Sequence, residues 1–179
     1  DYFRAVAQVA ITASYQATPA GFAALGLDEA QSKALIGKSV ELARKAREAY
    51  LAENPQAGAL LVAGSVGPYG AFLAGGSEYR GAYVRSDEEF QAFHRPRVEA
   101  LLDAGADLLA CETLPNFAEM KALAELLTAY PRARAWFSFT LRDAQHLSDG
   151  TPLREVVAVL ANYPQVVALG INCIALENT

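Results

Sequence analysis

Five short stretches of this chain are apolar on successive rather than alternate residues: QVAITAS (8–14), ALLVAGSV (59–66), DLLACET (107–113), RAWFSFT (134–140) and QVVALGINC (165–173). Continuous apolar runs of that length mark strands covered on both faces, as in a parallel sheet. Between them, apolar residues return at helical spacing over 29–52, 87–104, 117–129 and 153–162. The helix starts carry cap signals: Asp28 with Gln31, Ser86 with Glu89, Asn116 with Glu119, and Thr151 before Pro152. Gly105 stands where the second of these helices should stop. Pro96 falls inside that helix and predicts a kink, or a start in two pieces. The stretch 67–85, rich in Gly and Tyr, reads as one long loop. Loops of that length are more often functional than filler.

Strict alternation of strand and helix implies a parallel sheet with right-handed crossovers. Two architectures fit, a doubly wound open sheet and a (β/α)8 barrel. No GxGxxG follows the first strand, and neither GxxxxGKS nor GxxxxGKT occurs, which weakens the nucleotide-binding form of the open sheet. The order starts on what reads as a helix remnant, DYFRAVA, and stops just after a strand. The expectation is one unit over 1–179, the middle of a parallel (β/α)8 TIM-type barrel. About five β/α units would be present, against the roughly 250 residues of a full barrel. Such an open sheet would carry two apolar edges.

Composition narrows the partners. Hydrophobic residues make up 53% of the chain, so a packed core is affordable and disorder is not expected. Lys and Arg number 15 against 20 Asp and Glu, a formal charge of -5, which argues against nucleic acid and anionic membrane as partners. No apolar stretch approaches the roughly 20 residues that span a bilayer, and DYFRAVAQVA has no signal-peptide pattern. With two cysteines, Cys111 and Cys173, a disulfide scaffold is not expected and a cytoplasmic, reducing setting is. Such a setting leaves thiolates free for metal or catalysis.

In either architecture the chemistry collects at the C-terminal ends of the strands. Those ends are polar here: Ser14, Tyr15 and Gln16; Ser65; Glu112 and Thr113; Thr140, Arg142 and Asp143; Asn172 and Cys173. Neighbours on a strand point to opposite faces, so a mouth-facing Glu112 puts Cys111 among the helices as a packing residue. A carboxylate directly after LLAC is costly to bury without a partner, and it could await a substrate ammonium. Cys173 could be a small buried hydrophobe or, at its strand exit, a ligand. His94, in HRPR, reads as part of a solvated helix face, and His146 as a surface loop residue. Trp136 and Phe137 read as core. GSVGPYG (64–70) lacks the spacing of a nucleophile elbow.

Taken in order, GINC (170–173), ACETLP (110–115), AGSVGPYG (63–70) and ITASYQAT (11–18) resemble the homocysteine S-methyltransferases over essentially the whole chain. The likeness is closest to the bacterial enzymes that use S-methylmethionine or S-adenosylmethionine. It implies a barrel with zinc at its mouth, held by three cysteines, of which Cys173 would be one. The adjacent cysteine pair that supplies the other two, in a Gly-Gly-Cys-Cys stretch, is expected beyond Thr179, and a first strand carrying a substrate-binding aspartate is expected before Asp1. The resemblance puts the carboxylate for the substrate amino group on Glu112. It places Tyr15, Gln16, Ser65, Thr140 and Asn172 around the pocket, and makes homocysteine and a methyl-sulfonium donor the partners. Three other readings stay open: a metal-free lyase using Glu112 and Arg142, a noncatalytic barrel piece, and the homocysteine module of a cobalamin-dependent enzyme.

Overall fold

Parallel strands that follow one another in space as they do in the chain leave no point where the order reverses. A computed structural model describes residues 2–175. After a 3-10 turn, Phe3–Ala5, come β1 (Val9–Ile11), α1 (Pro19–Ala23), α2 (Glu29–Glu53) and β2 (Leu61–Val66). Then follow α3 (Tyr69–Leu73), a 3-10 turn (Ser77–Tyr79), α4 (Asp87–Asp103), β3 (Leu108–Leu114), α5 (Phe117–Thr128) and β4 (Ala135–Phe139). The hairpin β5 (Leu141–Asp143) and β6 (His146–Leu147) precedes α6 (Leu153–Leu160) and β7 (Val166–Ile171). The sheet order is β1-β2-β3-β4-β7, every pair parallel. A doubly wound sheet reverses at its switch point; this one does not. The architecture is α/β, five successive parallel strands of the (β/α)8 type, of which the first four are each followed by a helix among the described residues.

One sheet face carries the core. Val62, Val66, Leu109, Cys111, Ala135 and Phe137 pack with Ile36 and Val40 of α2, Leu101 of α4, Leu123 of α5 and Leu160 of α6. The residues between them, Ala63, Ser65, Ala110, Glu112, Trp136 and Ser138, belong to the other face. Trp136 is therefore not part of the helix-packed core expected for it, whereas Phe137 is. At the sheet edges Ile11 on β1 and Val167, Leu169 and Ile171 on β7 are exposed, the uncovered apolar edges the patterning predicts.

Most helix boundaries follow their local signals. Both Asp28 with Gln31 and Ser86 with Glu89 form complete capping boxes. Gly105 ends α4 at φ 84°, a left-handed geometry that glycine adopts without strain. Three expectations are corrected. Helix α4 is one piece through Pro96 and does not begin as two, because Phe90, His94, Arg97, Val98 and Leu101 bury one continuous stripe on both sides of it. Pro152, not Thr151, caps α6. Thr151 is drawn into the hairpin, its N–H donating to Asp149 Oδ1 at 2.8 Å and its carbonyl accepting from Leu147 N at 2.9 Å. The stretch 67–85 is not one irregular loop but holds α3 and the Ser77–Tyr79 turn.

Gly64 sits where β2 meets α4, and a Cβ there would stand 3.0–3.2 Å from three Leu101 side-chain atoms. Overpacking of that kind costs about 1–3 kcal/mol. Gly64→Ala should lower the unfolding free energy in urea by that amount with the slope unchanged.

Candidate active site

A one-residue irregularity in β3 sets the site. Cys111 pairs with Phe137 and Leu114 with Phe139, so three steps on β3 match two on β4. Both Cys111 and Leu114 lie in the core cluster, so the bulge turns Glu112 and Thr113 together away from the helices. Thr113 absorbs the extra residue at φ 64°, a left-handed geometry that is strained for a β-branched side chain. Cys173, at the end of β7, is also left-handed, at φ 53°.

Thr113 is the hub. Its Oγ1 accepts from Asn172 Nδ2 at 3.0 Å and lies 4.0 Å from Cys173 Sγ. The Tyr15 phenol lies beside it as well. Burial pushes the Tyr15 phenol up to about 12, so it stays protonated at neutral pH. Ser65 Oγ donates to Glu112 Oε1 at 2.5 Å. Ser65 is itself held through its backbone, its N–H donating to Thr12 Oγ1 at 3.0 Å and its carbonyl accepting from Ser14 Oγ at 2.8 Å. Tyr15, Ser65, Glu112, Asn172 and Cys173 thus converge on one mouth. Cys173 is exposed, while Cys111 is fully buried on the helix side, where burial pushes its thiol up.

Two expected residues stand apart from that set. The Thr140 hydroxyl is engaged by Ser148 Oγ at 2.9 Å and the Glu78 carbonyl at 3.3 Å, tying the hairpin to the Ser77–Tyr79 turn. Gln16 is exposed and reaches the Ala71 carbonyl at 3.3 Å. Arg142 bonds Asp143 at 3.5 Å on the exposed hairpin, which leaves no acid/base pair with Glu112. His146 is half-buried and pairs with Asp143 Oδ1 at 2.7 Å.

Behind the mouth, HRPR is not a solvated face: His94 and Arg97 are 0% and 1% exposed. Arg97 donates to the carbonyls of Tyr15 at 2.7 Å and Gly67 at 2.6 Å, and to His94 Nδ1 at 3.0 Å. An arginine can only donate, so Nδ1 accepts and the proton sits on Nε2, which faces Glu119 Oε1 at 2.8 Å. Glu119 also accepts from Tyr69 N–H at 2.5 Å and from the Tyr83 hydroxyl. Asn116 Oδ1 still caps α5 through Glu119 N–H, but the Glu119 side chain is committed to this network and does not complete a capping box. No local signal marks these residues as buried: α5 carries Lys121 and Glu125 as well as Glu119, so nothing in its own pattern sets Glu119 apart.

Among the described residues no three His, Cys, Asp or Glu side chains come together to hold a metal ion. Cys173 is the donor that fits such a role, an exposed thiol at the mouth. No helix among the described residues is long and apolar enough to cross a membrane.

A parallel α/β sheet with a carboxylate, a phenol and a thiol gathered at its strand exits is the frame of a barrel-type catalytic domain. The sequence profile of the homocysteine S-methyltransferases matches residues 1–179, and the chain belongs to that family. It is 89% identical to the homocysteine S-methyltransferase of Escherichia coli K12 over 179 residues, 100% of this chain and 58% of that protein. It is 51% identical to homocysteine S-methyltransferase YbgG of Bacillus subtilis, over 99% of this chain and 58% of that protein. The crystal structure of E. coli homocysteine methyltransferase MmuM in its metallated form superposes with a TM-score of 0.98 at 89% identity, covering 99% of this chain and 62% of that one. The chain thus spans about 58% of the length of these curated relatives.

Burial depresses the His94 pKa against the opposing pull of Glu119. The unfolded chain, titrating near 6.5, then binds the extra proton before the folded one. The stability contributed by neutral His94 is present above that pH and lost as pH falls through it. Between pH 7 and 5 the slope of unfolding free energy should be shallower in His94→Gln, by up to about 1.4 kcal/mol per pH unit. An unchanged slope in denaturant titrations would rule out this role.

Proposed function

We propose that the protein carrying this chain transfers a methyl group from a sulfonium donor to the thiol of homocysteine, giving methionine. The observation that carries the reading is the exposed Cys173 thiol set against Thr113, the residue that follows the Ser65-bonded Glu112 on β3, in a chain of this family. Cys173 would serve as one ligand of a zinc ion, the remaining ligands coming from outside the described residues. Zinc, when bound in this way, supplies an open position where a substrate thiol is held ionised.

The chain's own groups orient the reactants. Glu112 would take the homocysteine ammonium, and its 2.5 Å bond from Ser65 fixes which oxygen remains available. Positioning of that kind can supply much of a rate enhancement. Tyr15, protonated at neutral pH, is a donor and not a base. Asn172, anchored on Thr113, sets the approach to Cys173. No general acid is needed, because the departing group is a neutral thioether. This agrees with His94, whose two nitrogens are both committed inside the buried network.

In the full-length protein, Cys173→Ser should lose zinc and methyl transfer together, the activity falling by more than the roughly 10–100-fold that loss of an outer partner costs. Metal analysis beside an assay with homocysteine and S-methylmethionine checks this, and a variant with full zinc and full activity would refute it. Glu112→Gln should retain zinc yet raise KM for homocysteine roughly 10–100-fold, as expected for a lost charged hydrogen bond.

A further inference from the structure

The Ser77–Tyr79 turn packs against β3, the strand that carries Glu112. It is held there on both sides. The Glu78 carbonyl accepts from Thr140 Oγ1 at 3.3 Å. On α3, a Cβ at Gly70 would stand 2.7 Å from Glu78 N, so only glycine admits this approach. The Glu78 side chain has a different environment: its Oε2 is buried with no hydrogen-bond partner among the described residues. The neighbouring cation, Arg80, is turned away to the Gly75 carbonyl at 2.9 Å and Ser77 Oγ at 3.5 Å. Glu78, Tyr79 and Cys173 all lie near the Tyr15 side chain, and the turn packs on β3, which sets this carboxylate beside the mouth already described. Tyr79 is 52% exposed there. At the same mouth Asn172 Oδ1 is a second buried acceptor without a donor.

Buried acceptors left without donors are costly and fit a ligand that brings positive charge. Phenol rings beside a carboxylate add cation–π attraction for an onium centre. Glu112 already accepts from Ser65, whereas Glu78 accepts from no side chain. We propose that Glu78, flanked by Tyr15 and Tyr79, forms the subsite for the positively charged methyl donor; this rests on the methyl-transfer reading above. In the step, the donor's S–CH3 bond breaks with its electron pair remaining on the departing neutral thioether. The new S–CH3 bond forms with a pair from the acceptor thiolate. The positive charge on the donor sulfur declines along that path. A carboxylate beside it therefore favours the bound donor over the transition state, and Glu78 acts on KM more than on kcat.

Calorimetric titration of the full-length, zinc-loaded protein with S-methylmethionine and with methionine, its neutral counterpart, tests the subsite. The wild type should bind the sulfonium more tightly, and Glu78→Gln should shrink that preference roughly 10–100-fold. In turnover the variant should raise KM for the sulfonium without lowering kcat, with zinc content and KM for homocysteine held within about twofold. Its melting temperature should not fall, since Oε2 has no partner to lose. An unchanged sulfonium-to-methionine ratio, a parallel rise in KM for homocysteine, or a lowered melting temperature would each overturn the proposal. A wild type that prefers the sulfonium yet transfers no methyl would sink the methyl-transfer reading and leave the subsite standing. A wild type without that preference would sink the subsite.

Discussion

Glu119 is fully buried, yet it faces donors from three separate parts of the chain: Tyr69 N–H at the start of α3, the Tyr83 hydroxyl before α4, and His94 Nε2 within α4. Beyond His94 stands Arg97, whose guanidinium takes the backbone carbonyls of Tyr15 and Gly67 at the exits of β1 and β2. Backbone at a strand exit has left its ladder, and its carbonyls need donors once buried. Here a buried ion supplies them. Burying such charges is costly, and breaking a satisfied network by removing one partner typically costs about 3–5 kcal/mol. The gain is geometric: one cluster fixes the positions of Tyr15, Gly67 and the whole segment that folds over the mouth.

Strain does the complementary work in front of the sheet. Thr113 and Cys173 both adopt left-handed backbone, and the two side chains meet at 4.0 Å. Backbone in that region persists where its surroundings over-determine it. Thr113 is held by the bulged ladder with β4 and by Asn172. The bulge converts a strand that would alternate core and mouth into one that presents two successive polar residues to the mouth. Family membership places this arrangement among the homocysteine S-methyltransferases, and the metallated form of the similar E. coli protein superposes on it closely.

Two carboxylates then stand at one mouth in unlike surroundings. Glu112 is fixed by the Ser65 hydroxyl, whereas Glu78 sits on a turn secured only through its backbone. Different partners let groups of one chemical type take different tasks. The exposed aliphatic side chains of β7, Val167, Leu169 and Ile171, continue the same sheet at its open edge.

Much of this was legible residue by residue. Strand positions, the caps at Asp28 and Ser86, the Gly105 stop, and Cys111 packed behind an outward Glu112 all follow from signals within a few residues, where sterics and hydrogen bonding act locally. The convergence of Tyr15, Ser65, Glu112, Asn172 and Cys173 follows from parallel strands sharing one end. What only the tertiary structure decided involves partners far apart in the chain. His94 and Arg97 are polar residues on a helix that contains a proline, the pattern of a solvated face, until Glu119 and the Tyr15 and Gly67 carbonyls satisfy them from 25 or more residues away. The Thr113 bulge is a register fact of two strands together, and Thr151 was lost as a cap to a hairpin. Local patterning specifies which face a residue would prefer; whether a charge can be buried depends on donors and acceptors that meet it only after the chain has folded.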